Sequence, residues 1–338
     1  MPGSDLTAAL LRRVSRSFYL SLAVLPASVR PTIGLAYLFA RASDTIADTR
    51  LIDRASRIAH LDALRAALAD DGLSTVVGAT AAAQALPAER RLLERLPDCL
   101  AAYRVLPPAD RARVQAVLDP IIEGQIQDLR VFPGEDEGKL AALETREDLD
   151  RYTYLVAGCV GEFWTEVHVA HRPRLARWDL ARMRALGTRF GKGLQLTNVL
   201  RDVPRDLRQG RCYLPRQDLA RWGLEPRDLL DPGCAPAARP LLSEWLNTAL
   251  DHYDAAWQYT FAIPRREARM RLACAWPLLI GLRTLDLLAA SPNWLDPAIT
   301  LKVPRVRVYG LMAHSLGTVW STRALGRQAR RLRERIRL

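Results

Sequence analysis

Apolar residues recur at steps of three and four along most of this chain, and that spacing narrows its folding options more than any other feature. The stretches "LDALRAALA" (61–69), "ARVQAVLDPIIEGQIQDL" (112–129) and "LSEWLNTALDHYDAAW" (242–257) all show it. Residues three and four apart share one face of an α-helix, so each stretch reads as an amphipathic helix with a buried stripe. Alternating strand patterns and Asn-Gly or Asp-Gly hairpin turns are scarce. Turn-forming clusters separate the periodic stretches: "LPPAD" (106–110), "FPGEDEG" (132–138), "DPGCAPAARP" (231–240) and "SPNWLDP" (291–297). No solenoid repeat and no Gly/Ser-rich linker divides the chain. The pattern predicts an all-α fold in one domain over residues 1–320, followed by a basic amphipathic helix over 321–338.

The 338 residues carry a formal charge of +12, supplied almost wholly by arginine, since the lysines are Lys139, Lys192 and Lys302 alone. Such an excess fits a nucleic acid, a membrane surface or an anionic small substrate. Five cysteines, at 99, 159, 212, 234 and 274, form no CxxC and are odd in number. They predict reduced thiols in a cytoplasmic protein, without a disulfide framework or zinc site. "MPGSDLTAALLRR" at the N-terminus has no long apolar core, so no signal peptide is expected. The longest apolar run, "LACAWPLLIGL" (272–282), falls short of the ~20 residues a membrane-spanning helix needs. The histidines at 60, 168, 171, 252 and 314 are scattered, and the pair His168 and His171 has no further ligand set to make a metal site.

Two acidic motifs stand out against the positive charge. "LAYLFARASDTIADT" (35–49) holds Asp44 and Asp48, and "NVLRDVPRDLRQGRCYLP" (198–215) holds Asn198, Asp202 and Asp206, all at steps of four. On a helix each set lies on one face, about 6 Å apart along the axis, where carboxylates repel. Hard divalent cations reverse that sign, and Mg²⁺ commonly binds through one or two carboxylates together with substrate phosphates. A lone DxxxD is usually a solvated helix face. Here both motifs follow apolar stretches, "IGLAYLFA" and "FGKGLQLT", where unpaired acids are costly. Two such faces turned toward each other would hold a diphosphate through metal ions.

The residues around these motifs resemble the squalene and phytoene synthase family of head-to-head isoprenoid synthases. "SRSFYLSLAVLP" (15–26), "ARASDTIAD" (40–48), "YTYLVAGCVGE" (152–162) and "LQLTNVLRDVPRDLRQGRCYLP" (194–215) look like the family's segments and stand in the family's order. The resemblance runs from about residue 14 to about residue 312. It implies an all-α isoprenoid-synthase bundle around a central cavity, with Mg²⁺ held by Asp44, Asp48, Asn198, Asp202 and Asp206. Ser15, Arg16, Ser17, Arg41, Arg201 and Arg211 match positions near the diphosphates, where arginine forks suit phosphate oxygens. Tyr152 and Gln195 match polar positions close to the reacting carbons. Tyr152 would stabilise a cation or handle a proton, or simply pack in the core. Gly158 and Gly161 match small residues beside a prenyl chain; tight helix packing explains them equally well. Ala47 and Val14 depart from residues seen in relatives, and Pro204 is expected to kink the helix and change the aim of Asp206.

The implied reaction joins two farnesyl diphosphates through presqualene diphosphate. "SRSF" and "RASDTIAD" look closest to the squalene synthase branch, which also needs NADPH. Lys302, Arg305 and Arg307 would hold the NADPH phosphates, or form a surface charge run. Phytoene and dehydrosqualene synthases, which have no reductive step, are the alternative. A basic helical protein for nucleic acid or an acidic partner would explain the charge but not five metal-type ligands, so nucleic acid is not expected as a partner. In "STRALGRQARRLRERIRL" (321–338), Leu325, Ala329, Leu332 and Ile336 form a narrow apolar stripe among seven arginines. That helix would lie on an anionic membrane, placing the protein peripherally on its inner face, or would pack its stripe on the domain.

Overall fold

Turn-forming segments follow two of the long helices: "FPGEDEG" (132–138) after the helix that ends at Val131, and "SPNWLDP" (291–297) after the helix that ends at Ala290. The computed structural model describes Leu10, residues 18–69 and residues 86–338. Ser15, Arg16 and Ser17 lie outside the described residues. The fold is all-α, and the one sheet among the described residues pairs two parallel strands of two residues each, β1 (Ala141–Ala142) and β2 (Arg211–Cys212). Contacts group the chain into two compact units, Met1–Leu129 with Glu162–Leu180, and Arg130–Gly161 with Ala181–Leu338.

The first unit contains α1 (Phe18–Ala23), α2 (Arg30–Asp48), α3 (Arg54–Ala69), α4 (Pro87–Glu94), α5 (Leu96–Arg104) and most of α6 (Pro108–Val131). Pro31 stands in the first turn of α2, where the missing N–H leaves no bond unmade. Ile33, Leu38, Phe39, Ala42 and Ile46 of α2 are buried, and Phe39 meets Tyr103 of α5 edge-on at 5.8 Å. Asp110 fixes α2 against α6. Its buried carboxylate accepts from Thr32 Oγ1 (3.0 Å) and Arg113 Nη1 (2.8 Å), with His171 Nε2 at 2.8 Å. The His168 ring is fully buried with Nδ1 2.8 Å from the Trp164 carbonyl, so both of these histidines serve packing.

The second unit begins with α7 (Arg146–Thr153), a π turn (Tyr154–Gly158) and the start of α8 (Cys159–His171). A capping box fixes the start of α7: Thr145 accepts from the Asp148 amide and Asp148 accepts in return. α9 (Leu180–Arg208), α10 (Arg216–Arg221), α11 (Arg239–Ala262), α12 (Ala268–Ala290), α13 (Arg305–Thr318) and α14 (Thr322–Arg333) follow. The core gathers Leu200, Leu207, Leu246, Leu250, Leu279, Leu285 and Trp294, all essentially without exposure. α8 and α9 cross at backbone distance: a Cβ on Gly161 would lie 1.8 Å from the Gly187 carbonyl, and one on Gly191 would lie 2.0 Å from that of Ala157.

α9 runs through Pro204 to Arg208, so Asp206 stays on the same helix as Asn198 and Asp202. The C-terminal helix covers Thr322–Arg333, within the expected 321–338, and its apolar stripe packs on the domain, one of the two placements the sequence left open. Leu325 is 0 % exposed, and Ala329, Leu332 and Ile336 are buried with it. The apolar run at 272–282 belongs to α12, a 23-residue helix long and apolar enough to cross a membrane, but 67 % of its most apolar window is buried inside the protein, as in a core helix.

Candidate active site

Both acidic motifs sit at the C-terminal ends of their helices. α2 ends on Asp48 with Asp44 one turn before it. Asp206 lies in the last turn of α9, with Asp202 one turn before that and Asn198 a further turn back. A helix C-terminus carries partial negative charge and disfavours carboxylates. Each pair therefore stands against its own helix dipole as well as against itself, and a bound cation relieves both.

In the first unit, Asp44 is held from two sides. Gln125 of α6 donates to its Oδ1 at 2.6 Å, and Arg41 Nη1 donates to its Oδ2 at 3.1 Å. Glu89 of α4 accepts from Arg41 Nη2 at 3.5 Å and steadies the guanidinium. Burial pushes the Asp44 carboxyl up to about 6; Arg41 pulls it down, Asp48 adds to the rise, and Gln125 again lowers it. Although 41 % of the Asp44 side chain still meets solvent, its neighbours crowd the carboxyl group itself. Asp48 is exposed. Gln125 Oε1 is buried without a hydrogen-bond partner. Neither Gln125 nor Glu89 was marked by the sequence pattern. Gln125 stands 81 residues from Asp44 and belongs to an ordinary amphipathic stretch.

In the second unit, Arg201 forks onto its neighbour Asp202, Nε to Oδ1 at 2.9 Å and Nη2 to Oδ2 at 2.7 Å. That bond, with burial opposing it, raises the affinity of Arg201 for its proton. Arg205 Nη2 donates to Asp206 Oδ1 at 3.3 Å. Asp206 is pushed up to about 7, by burial first; Arg205 opposes the rise, Asp202 adds to it and Arg211 lowers it. Arg211 is brought into this field by Gly210. Its φ of +78° turns the chain after α9 into β2, and its carbonyl accepts from the Ala141 amide at 3.0 Å. Asn198 is exposed and Gln195 partly buried on the same helix.

Tyr152 is partly buried and stacks on Tyr213, centroids 4.7 Å apart, while Phe132 meets Tyr213 edge-on at 5.0 Å. The aromatic partner just beyond β2 had no signal in the sequence. Of the two glycines expected beside a prenyl chain, Gly161 makes the α8–α9 backbone contact. Gly158 faces only side chains, with the nearest atoms to an added Cβ at 3.1 to 3.4 Å. Lys302, Arg305 and Arg307 are exposed, the first before α13 and the others in its opening turn.

Among the described residues no group of three or more His, Cys, Asp or Glu comes together at one point. What the helices present instead is oxygen donors in pairs, crowded enough that burial and mutual repulsion raise one carboxyl of each pair. That donor set fits Mg²⁺, which keeps waters and takes its remaining ligands from phosphates.

A model of the squalene/phytoene synthase family matches residues 11–307. The chain belongs to the squalene/phytoene synthase family. Over 258 residues it is 30 % identical to a bifunctional lycopene cyclase/phytoene synthase of Colletotrichum graminicola, covering 74 % of this chain and 40 % of that protein. Over 293 residues it is 27 % identical to a squalene synthase of Cyberlindnera jadinii, covering 87 % of this chain and 63 % of the relative. The chain thus spans less than two thirds of the length of either. The fold is shared with the complex of TcSQS and the ligand BPH1237, with a TM-score of 0.79 at 23 % identity over 99 % of this chain and 92 % of the other. Head-to-head prenyl transfer is the chemistry of the family.

Proposed function

We propose that the protein is a farnesyl-diphosphate farnesyltransferase that makes squalene, joining two farnesyl diphosphates through presqualene diphosphate and reducing that intermediate with NADPH. The observation that carries this reading is the pairing of crowded carboxylates with arginines at two helix ends, Arg41 with Asp44 and Arg201 with Asp202. Asp44, Asp48, Asn198, Asp202 and Asp206 hold Mg²⁺. When bound, the metal neutralises the diphosphate and makes it a better leaving group. Arg41, Arg201 and Arg211, with Ser15, Arg16 and Ser17, bind phosphate oxygens by charge-assisted hydrogen bonds. The Tyr152 ring, backed by Tyr213, offers a π face to an allylic cation. Apolar walls of a central cavity exclude the water that would quench it. Lys302, Arg305 and Arg307 hold the reductant's phosphates, and NADPH supplies the hydride that follows reopening of the cyclopropane.

A second reading, a phytoene or dehydrosqualene synthase without the reductive step, is favoured by the 30 % identity to the phytoene synthase-containing relative. Incubating the purified protein with farnesyl diphosphate and Mg²⁺, with and without NADPH, separates the two. Squalene should dominate with NADPH, and presqualene diphosphate or unreduced products should accumulate without it. Identical products in both incubations would set the squalene assignment aside in favour of the second reading.

A further inference from the structure

α13 is a helix with one buried residue, Ser315. Ser315 is fastened to the core because its Oγ accepts the Trp276 indole N–H at 2.8 Å, and Gln328 of α14 donates to the Leu311 carbonyl at 3.3 Å. These bonds fix which way the helix faces. On the other side Val306 is 82 % exposed, Tyr309 58 %, Leu316 54 % and Trp320, just past the helix end, 58 %. With the exposed Ala313 they follow steps of three, four, three and four. Exposed Gly310 and Gly317 widen the strip, and nothing lies within 4 Å of a Cβ built on either. At about 100° per residue these seven positions form one apolar sector of about 120°. Arg305 borders it on one side and Arg307 with His314 on the other.

We propose that this face of α13 is where the protein docks on an anionic lipid surface. An exposed apolar strip rimmed by polar groups marks an interaction site. The charge pattern selects lipid over protein: from residue 297 to residue 333 there is no Asp or Glu, while Lys302, Arg305, Arg307, Arg323, Arg327, Arg330, Arg331 and Arg333 fall within it. Basic residues beside an apolar helix face draw it to anionic headgroups. Tyr309 and Trp320 combine an apolar ring with a polar tip, the form that settles at the boundary between acyl chains and headgroups. The stripe of α14 is buried in the core, so α14 contributes charge while α13 contributes the apolar contact. The inference holds whichever product the enzyme makes. Because the basic residues could serve a reductant's phosphates as well as lipid phosphates, the test alters apolar residues only.

The full chain is sedimented with phosphatidylcholine vesicles containing phosphatidylglycerol and with vesicles of phosphatidylcholine alone, beside a Val306→Ser/Leu316→Ser variant. Both substitutions are at exposed positions, and circular dichroism confirms equal helix content. Binding to the anionic vesicles should weaken at least tenfold in the variant and fall with added salt. Brominated lipid should quench tryptophan emission in the parent and quench it less in Trp320→Phe. Equal binding by parent and variant, or no binding to anionic vesicles at low salt, would overturn the proposal. So would a parent that is dimeric in solution and becomes monomeric in the variant, which would give the face to a second copy.

Discussion

Asp44 and Asp202 each bring an arginine and a carboxylate into direct contact, so their loss removes a metal-type ligand without opening the core. Asp44→Ala and Asp202→Ala should each lower turnover of farnesyl diphosphate by at least 100-fold, with thermal unfolding shifted by no more than a few degrees. Full turnover at saturating Mg²⁺ in either variant would end the assignment. Gln125→Leu keeps the volume but removes the donor to Asp44 Oδ1, and should raise the Mg²⁺ concentration needed for half-maximal rate. His252 makes a separate, pH-dependent prediction. Burial, then Arg189 and Lys192, lowers it to about 4, and its neutral Nδ1 accepts from Arg189 Nε at 3.4 Å. Because the unfolded chain binds this proton near 6.5 and the folded chain only near 4, stability falls as pH drops through that window. Allowing for solvent screening, about 1–2 kcal/mol is at stake, and His252→Gln should flatten this part of the denaturation-versus-pH curve. The four-residue spacing of the acids was legible from the start because helix geometry is local. The grip of Gln125 and Glu89 was not, because it depends on which helices become neighbours.

At the scale of elements, the α8–α9 crossing separates two kinds of glycine. Gly161→Ala forces a methyl group onto the Gly187 carbonyl and should destabilise by about 1–3 kcal/mol or more, seen as a lower denaturation midpoint. Gly158→Ala meets only side-chain ends and should cost far less stability. A disproportionate loss of activity in Gly158→Ala would place that residue beside substrate. Leu325→Ala, in the buried stripe of α14, should cost about 3 kcal/mol, whereas a membrane-facing stripe would tolerate it. The stripe and its arginines were plain in the sequence. Its direction was not, since an apolar stripe serves a core and a bilayer equally. The π turn at Tyr154–Gly158 was equally hidden. One extra residue in a turn sets the following positions back by about 100°, so Tyr152 and Gly161 do not stand as an uninterrupted α-helix would place them.

Across the whole molecule, the cysteines behave as their count and spacing predicted: all five are free thiols and four are buried. Burial pushes Cys99 and Cys212 up to about 12, which leaves little thiolate at neutral pH. A thiol reagent should modify one cysteine of the native protein, Cys234, and all five after denaturation; rapid reaction of more than one would contradict the packing. The all-α class was readable because periodicity repeats along the entire chain, while the interior place of α12 was not, because composition does not say what surrounds a helix. That interior place has a consequence during synthesis. α12 is apolar enough to be taken for a membrane span, and α13 and α14, which pack against it, are made only after it. Until they emerge from the ribosome, the nascent chain offers a segment with the length and composition of a membrane span, not yet covered by the helices that bury it. Ribosome-bound chains halted near residue 300 should crosslink to hydrophobic-segment receptors, and chains extended through α14 should not.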